Sequence, residues 1–350
     1  MTSDGARPRL GMYSAAGCGG CDVAVLNLGE RLPALAQTFD IVFAPMLADF
    51  KVADLAALPD AGIDLCLFNG TIRTPADEDM AHLLRRKSRF MVAFGACAES
   101  GGVPALANTS TVDEMLERVA AASGASAGAE AEASQPARHA TAMPALPRLC
   151  PTACSLEQVE LVDYTIPGCP PEPAQVWAAL ETLAGVVVSG TELPWPGATL
   201  GASAAALCEE CPLTREDRKV QRFRRLHESA AAPDRCLLEQ GFVCLGVATR
   251  GGCGALCPQV GIPCSGCYGQ PDGVADQGAR MVAALAAALD AGTTSDGAAV
   301  VSGRVAAAIA GILDPIGTFY GFTLQRSLLA RPRPARSMRP AEERHEAHHH

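Results

Sequence analysis

The sequence contains no run of 18 or more consecutive apolar residues, so no helix long enough to cross a bilayer is expected. Its first residues, Met1–Arg9, are polar and mixed, with no apolar stretch after a basic one and no twin arginine, so no export signal is read there. The cytoplasm is therefore the expected location. The chain also lacks a basic balance: the formal net charge is −10, which disfavours nucleic acid as a partner. Nor is it short of core-forming residues, since 49% are hydrophobic over 350 positions, so disulfides are not needed to hold it together. Cysteine, by contrast, is plentiful. Fifteen cysteines in a reducing compartment point to metal ligation rather than cross-linking.

The first half alternates strand and helix signals. Short apolar runs at 8–14, 40–44, 62–68 and 90–95, each flanked by turn residues, read as buried parallel strands. Between them, 22–37 reads as a helix, and 75–88 as another that opens on Pro75. This order predicts an α/β domain, a flavodoxin-like doubly wound parallel sheet, over residues 1–195. Within it, 123–147 is rich in Ala, Ser, Gly, Glu and Pro and reads as a flexible insertion. A strand-like VELVDYTI follows, then a helix near 173–185 and a Gly/Pro-containing linker over 186–200. Residues 201–335 read as a smaller, mostly irregular and helical domain, with helices near 274–291 and 303–311. Residues 336–350 read as a disordered tail, and its closing His348–His350 receives no role.

The cysteines sort by context. Cys18 and Cys21 lie between a predicted strand and helix, Cys97 follows the strand ending at Gly95, and Cys169 precedes a helix in IPGCPPEP. Loops after the C-termini of parallel strands converge on one crevice, so these four thiolates are expected to meet, as a 4Fe–4S cluster requires. The alternative for CGGC alone is a redox dithiol. Eight more cysteines fall within sixty residues: Cys208, Cys211, Cys236 and Cys244, then Cys253, Cys257, Cys264 and Cys267. Their CxxC pairs also suit a zinc ribbon, but three sets of four suit a chain of clusters.

The runs AAGCGGCDVAVLNLGE, VAFGACAESGGVPALAN, IPGCPPEP and RCLLEQGFVCLGVATRGGCGALCPQVGIPCSGCYGQPDG resemble the small subunits of nickel–iron hydrogenases. The likeness is greatest to the methyl-viologen-reducing, heterodisulfide-reductase-linked type. It covers roughly residues 8–325; the first half alone also resembles the cluster-bearing subunit of respiratory complex I. The resemblance implies an electron-transferring subunit whose nickel–iron centre sits in a partner large subunit. It implies a proximal cluster on Cys18, Cys21, Cys97 and Cys169, a medial one on Cys253, Cys264 and Cys267, and a distal one on Cys211, Cys236 and Cys244. Membrane-bound relatives place His where this chain has Cys208, and often Pro where it has Cys257, so both sites here are expected to be all-Cys 4Fe–4S clusters. The expected acceptor is a flavin- or iron–sulfur-bearing adaptor linked to heterodisulfide reductase.

Other residues receive plainer expectations. Asp22 reads as an acidic first-turn residue at a helix N-terminus, Cys66 as a buried small hydrophobe, and Cys150 and Cys154 as a stray pair. The basic stretch 215–225 either offsets cluster charge, steers an acidic acceptor or is a solvated helix face. His227 is a weak substitute ligand beside four available cysteines.

Overall fold

The apolar runs form a single six-stranded sheet. The computed structural model describes residues 7–122, 148–192, 194–292 and 298–333; the predicted insertion at 123–147 and tail at 336–350 lie outside them. The strands are β1 (Arg9–Ser14), β2 (Asp40–Phe43), β3 (Ile63–Asn69), β4 (Ser88–Phe94), β5 (Tyr164–Ile166) and β6 (Ala198–Thr199). Every pairing is parallel and the order is β2-β1-β3-β4-β5-β6. Helices α1 (Gly20–Leu26), α2 (Leu32–Thr38), α3 (Val52–Ala57), α4 (Pro75–Lys87), α5 (Ala96–Ser100), α6 (Val112–Ala122) and α7 (Pro173–Ser189) accompany it.

The central strands read as unbroken apolar runs because both their faces are covered. Leu65 and Leu67 of β3 join Val176, Leu180 and Leu183 of α7 in one core; Cys66 and Phe68 face the other way, with Ala81 and Leu84 of α4. Cys66 is fully buried there, as expected, and burial pushes its thiol up to about 12. A capping box between Thr74 and Asp77, with Pro75 at the first helical position, starts α4 where the sequence placed it.

Several boundaries differ from expectation. The helix expected over 22–37 is two: Asn27 closes α1, Gly29 sits at φ +57°, and Pro33 opens α2. VELVDYTI yields only Tyr164–Ile166, because Val159 and Glu160 turn back to donate to the Leu156 carbonyl. The expected linker at 186–200 holds the end of α7, stopped by Gly190 at φ +62°, and the added strand β6.

After residue 200 the chain builds a third core without extended strands. Leu207, Phe223, Leu245, Met281, Leu285 and Phe319 centre it. Its helices are α8 (Leu256–Gln259), α9 (Gln277–Ala288), α10 (Ala298–Ile309) and α11 (Pro315–Tyr320). The Asp276 carboxylate caps α9 by accepting the Ala279 N–H. A Cβ on Gly278 of α9 would lie 2.2 Å from the Tyr320 ring. Gly278→Ala is therefore expected to destabilise the protein by about 1–3 kcal/mol through overpacking. A lowered thermal midpoint checks this; an unchanged midpoint would mean that the ring yields freely.

Residues 322–333 bond to both halves: the Thr323 hydroxyl donates to Gln277 Oε1 (3.0 Å) and the Leu328 N–H to the Asp276 carboxylate (2.8 Å), and the segment also packs on the first half. The Ser100 hydroxyl donates to the Phe322 carbonyl (2.7 Å), Arg326 pairs with Glu99 (2.9 Å), and Arg333 pairs with Glu78.

Candidate iron–sulfur sites

The loops that follow β1, β4 and β5 bring the first four cysteines together. The Cys21 thiol is raised first by burial and then by the nearby Cys97 and Cys169 thiols, with Cys18 also in range. Cys97 is pushed up to about 11 by burial and then by Cys169 and Cys18. Thiols so raised stay neutral until metal replaces their protons.

Glycine makes this convergence possible. Gly95 lies at φ +85°, and a Cβ there would sit 2.4 Å from Cys21 Sγ; at Gly102, φ +54°, it would sit 2.7 Å from Cys97 Sγ. The Gly20 N–H donates to Cys18 Sγ (3.4 Å). The crevice is thus walled by backbone, which can approach a large sulfur-bound group closely.

Asp22 does begin α1, yet it is not a solvated first-turn acid. It is 5% exposed, and its carboxylate accepts from Ser14 Oγ (2.6 Å) and Asn69 Nδ2 (3.0 Å), tying α1 to β1 and β3. No spacing rule reveals that clamp.

Cys208, Cys211, Cys236 and Cys244 line one cavity of about 430 Å³. Burial, followed by Cys244, pushes the Cys208 thiol up to about 12. His227 is exposed and lies outside the lining. Cys253, Cys257 and Cys267 are mutual neighbours, and Cys267 is pushed up to about 12 mainly by burial. Cys264 is buried and its leading thiol neighbour is Cys244, with Cys267 also in range. It adjoins the distal set as well as its medial neighbour.

One hydrogen bond connects two of the sets: the Cys264 N–H donates to Cys244 Sγ (3.3 Å). Cys169 and Cys267 are neighbours across the other pair of sets. Glu210, between Cys208 and Cys211, forms a third link, accepting from the N–H groups of Gly252 (2.8 Å) and Gly254 (3.0 Å) beside Cys253. Tyr268 adds a fourth: its hydroxyl accepts the Glu172 N–H (2.8 Å) and donates to Gln175 Oε1 (2.6 Å). The sequence signalled neither Glu210 nor Tyr268.

Cys150 and Cys154 stand apart from these sets. Their N–H groups donate to the carbonyls of Arg73 (2.7 Å) and Ile72 (3.0 Å).

The donor chemistry fits iron–sulfur clusters: four thiols per set, N–H groups aimed at sulfur, and glycine-walled or open space between them. Among the described residues, no three His, Cys, Asp or Glu side chains converge tightly enough for a single metal ion.

The chain is similar to several known proteins. Residues 18–183 match the family described as NADH ubiquinone oxidoreductase, 20 Kd subunit. The vhu F420-non-reducing hydrogenase of Methanocaldococcus jannaschii has an equivalent chain, its G subunit, which is 36% identical over 283 residues, covering 81% of this chain and 89% of that protein. The iron–sulfur G chain of the F420-non-reducing hydrogenase of Archaeoglobus profundus is 36% identical over 287 residues, covering 80% and 88%. In fold, the chain is similar to the [NiFeSe]-hydrogenase of Desulfomicrobium baculatum, with a TM-score of 0.50 and 20% identity over 77% of this chain and 96% of that one.

Sheet, cysteine sets and relatives together define a class, the electron-transferring small subunit of a nickel–iron hydrogenase. Within that class, the chain belongs to the family of F420-non-reducing hydrogenase G subunits.

Proposed function

We propose that the chain relays electrons between the nickel–iron site of a partner large subunit and an external acceptor through three 4Fe–4S clusters. Cys18, Cys21, Cys97 and Cys169 would hold the proximal one. Cys253, Cys257, Cys264 and Cys267 would hold the medial one, and Cys208, Cys211, Cys236 and Cys244 the distal one. When bound, each cluster takes up and returns single electrons. The observation that carries the reading is that the sets adjoin in series, with Cys169 beside Cys267 and the Cys264 N–H donating to Cys244 Sγ. An N–H aimed at a ligating sulfur stabilises negative charge there, so the Cys264 bond tunes the distal site while holding it against the medial one.

The ends of the series have different surfaces. Cys18 is exposed beside the exposed apolar side chains of Val23 and Leu26, an edge suited to a large subunit. The lining of the distal set's cavity is basic on balance, with Arg215, Arg218, Lys219 and Arg280 against Asp217 and Glu239, which suits a separate acceptor, an adaptor of the flavin or heterodisulfide-reductase-linked kind. Among the described residues no helix is long and apolar enough to cross a membrane. A cytoplasmic location belongs to the same proposal.

The match to the NADH ubiquinone oxidoreductase subunit favours a second reading, a relay without hydrogen chemistry, but it ends at residue 183, before the eight later cysteines. Purification of the intact complex separates the possibilities. About twelve irons per chain, broad visible absorption and a nickel-containing partner are expected. Iron without nickel would leave the relay and remove the hydrogenase role; a colourless zinc protein would remove both.

A further inference from the structure

Residues 213–225 form no helix. They run as an extended rail, pinned from inside by buried Val220 and Phe223. The Val220 N–H donates to the Ala288 carbonyl (2.9 Å), Phe223 N–H to Ala308 (3.1 Å) and Arg224 N–H to Gly241 (2.8 Å). The outer edge carries Arg215, Arg218, Lys219, Arg222 and Arg225, all exposed. Six basic residues against two acidic ones stand here in a chain of net charge −10.

Part of that charge is answered locally, by Glu216 for Arg218 (2.6 Å) and Glu228 for Arg222 (3.4 Å). Among the described residues, no carboxylate pairs with Arg215, Arg225 or Arg280. Arg215, Arg218, Lys219 and, from α9, Arg280 line the cavity of the distal cysteines, four basic residues against the two acids Asp217 and Glu239; Arg222 and Arg225 continue the rail beyond its lining. Neutralising thiolates explains the first group but not the outer two.

We propose that this collar is the docking surface for an acidic electron-carrying protein, a proposal that rests on the distal set being the exit of the relay. A cationic rim around the outermost redox site raises the encounter rate of an anionic carrier and orients it there. The rail offers no exposed aromatic for base stacking, and the acidic remainder of the chain would repel an extended polyanion or an anionic membrane. A compact acidic protein meets only the collar.

The test uses the intact hydrogenase complex with an acidic plant-type [2Fe–2S] ferredoxin as acceptor and benzyl viologen as a small-molecule control. The double variant Arg222→Glu/Arg225→Glu is expected to lower the second-order rate of ferredoxin reduction by about tenfold or more at low salt, the gap closing as ionic strength rises. Viologen reduction and cluster spectra should be unchanged, and Arg86→Glu on exposed α4 should behave as wild type. Equal ferredoxin rates in all variants at low salt would overturn the proposal while leaving the relay intact. Loss of viologen reduction with altered spectra would instead fault the relay assignment. Salt-sensitive binding to phosphatidylserine-containing vesicles, lost in the double variant while ferredoxin rates hold, would also overturn the proposal.

Discussion

Gly95→Ala is expected to strip the proximal site, taking iron from about twelve to about eight per chain. Hydrogen-dependent dye reduction by the complex should fall on the order of a hundredfold, the upper range for losing support around metal ligands. Two penalties combine at this position. The backbone sits at φ +85°, where a side chain is strained, and the added Cβ would lie 2.4 Å from Cys21 Sγ. Cys21 cannot swing aside without abandoning the convergence with Cys97 and Cys169. Gly29→Ala separates the two penalties, because Gly29 also has a positive φ, +57°, but a Cβ there meets nothing within 4 Å. It should cost some stability and keep all its iron. Equal iron in both variants would show that the thiol contact at Gly95 has no consequence. Loss of iron in both would show that strain alone suffices.

What could be read from sequence was what short-range physics controls. Buried parallel strands announce themselves as apolar runs between turn residues, so β1 to β4 were legible, as was α4 with its Pro75 start. The grouping of Cys18 and Cys21 with Cys97 and Cys169 followed from strand order, since loops after parallel strands share one edge of the sheet. The two-residue β6 was not legible, because only its neighbour β5 makes residues 198–199 a strand. Glu210 looked like filler in CEEC, yet its carboxylate reaches two N–H groups about forty residues away. The seat of the Cys264 N–H on Cys244 Sγ was not legible either, because only folding brings those two residues together. Asp22, Ser14 and Asn69 meet only once β1 and β3 are paired. The return of residues 322–333 over the first half depends on Glu99 and Glu78, more than two hundred residues upstream, and no local pattern encodes partners at that distance.

Cys257→Ala is expected to turn the medial site from four irons to three, lowering total iron from about twelve to about eleven. Cys257 is exposed, whereas Cys264 is buried and Cys253 and Cys267 are partly so. Cys253 and Cys267 are each other's neighbours, and Cys267 also lies near Cys169. Removing an exposed thiol at the start of the single-turn helix α8 opens no cavity, so global stability should stay within about 0.5 kcal/mol. A new paramagnetic signal should appear in the oxidised protein, and the medial potential should rise, because a three-iron cluster is easier to reduce than its four-iron counterpart. Cys264→Ala should differ sharply. It removes a buried sulfur in contact range of both Cys244 and Cys267, so the medial site should be lost and the distal signals disturbed. Unchanged iron and spectra in Cys257→Ala would show that this thiol is no ligand. Loss of four irons would show that the other three cannot hold a cluster without it. An undisturbed distal signal in Cys264→Ala would mean that its N–H contact with Cys244 places the two sets side by side without coupling them.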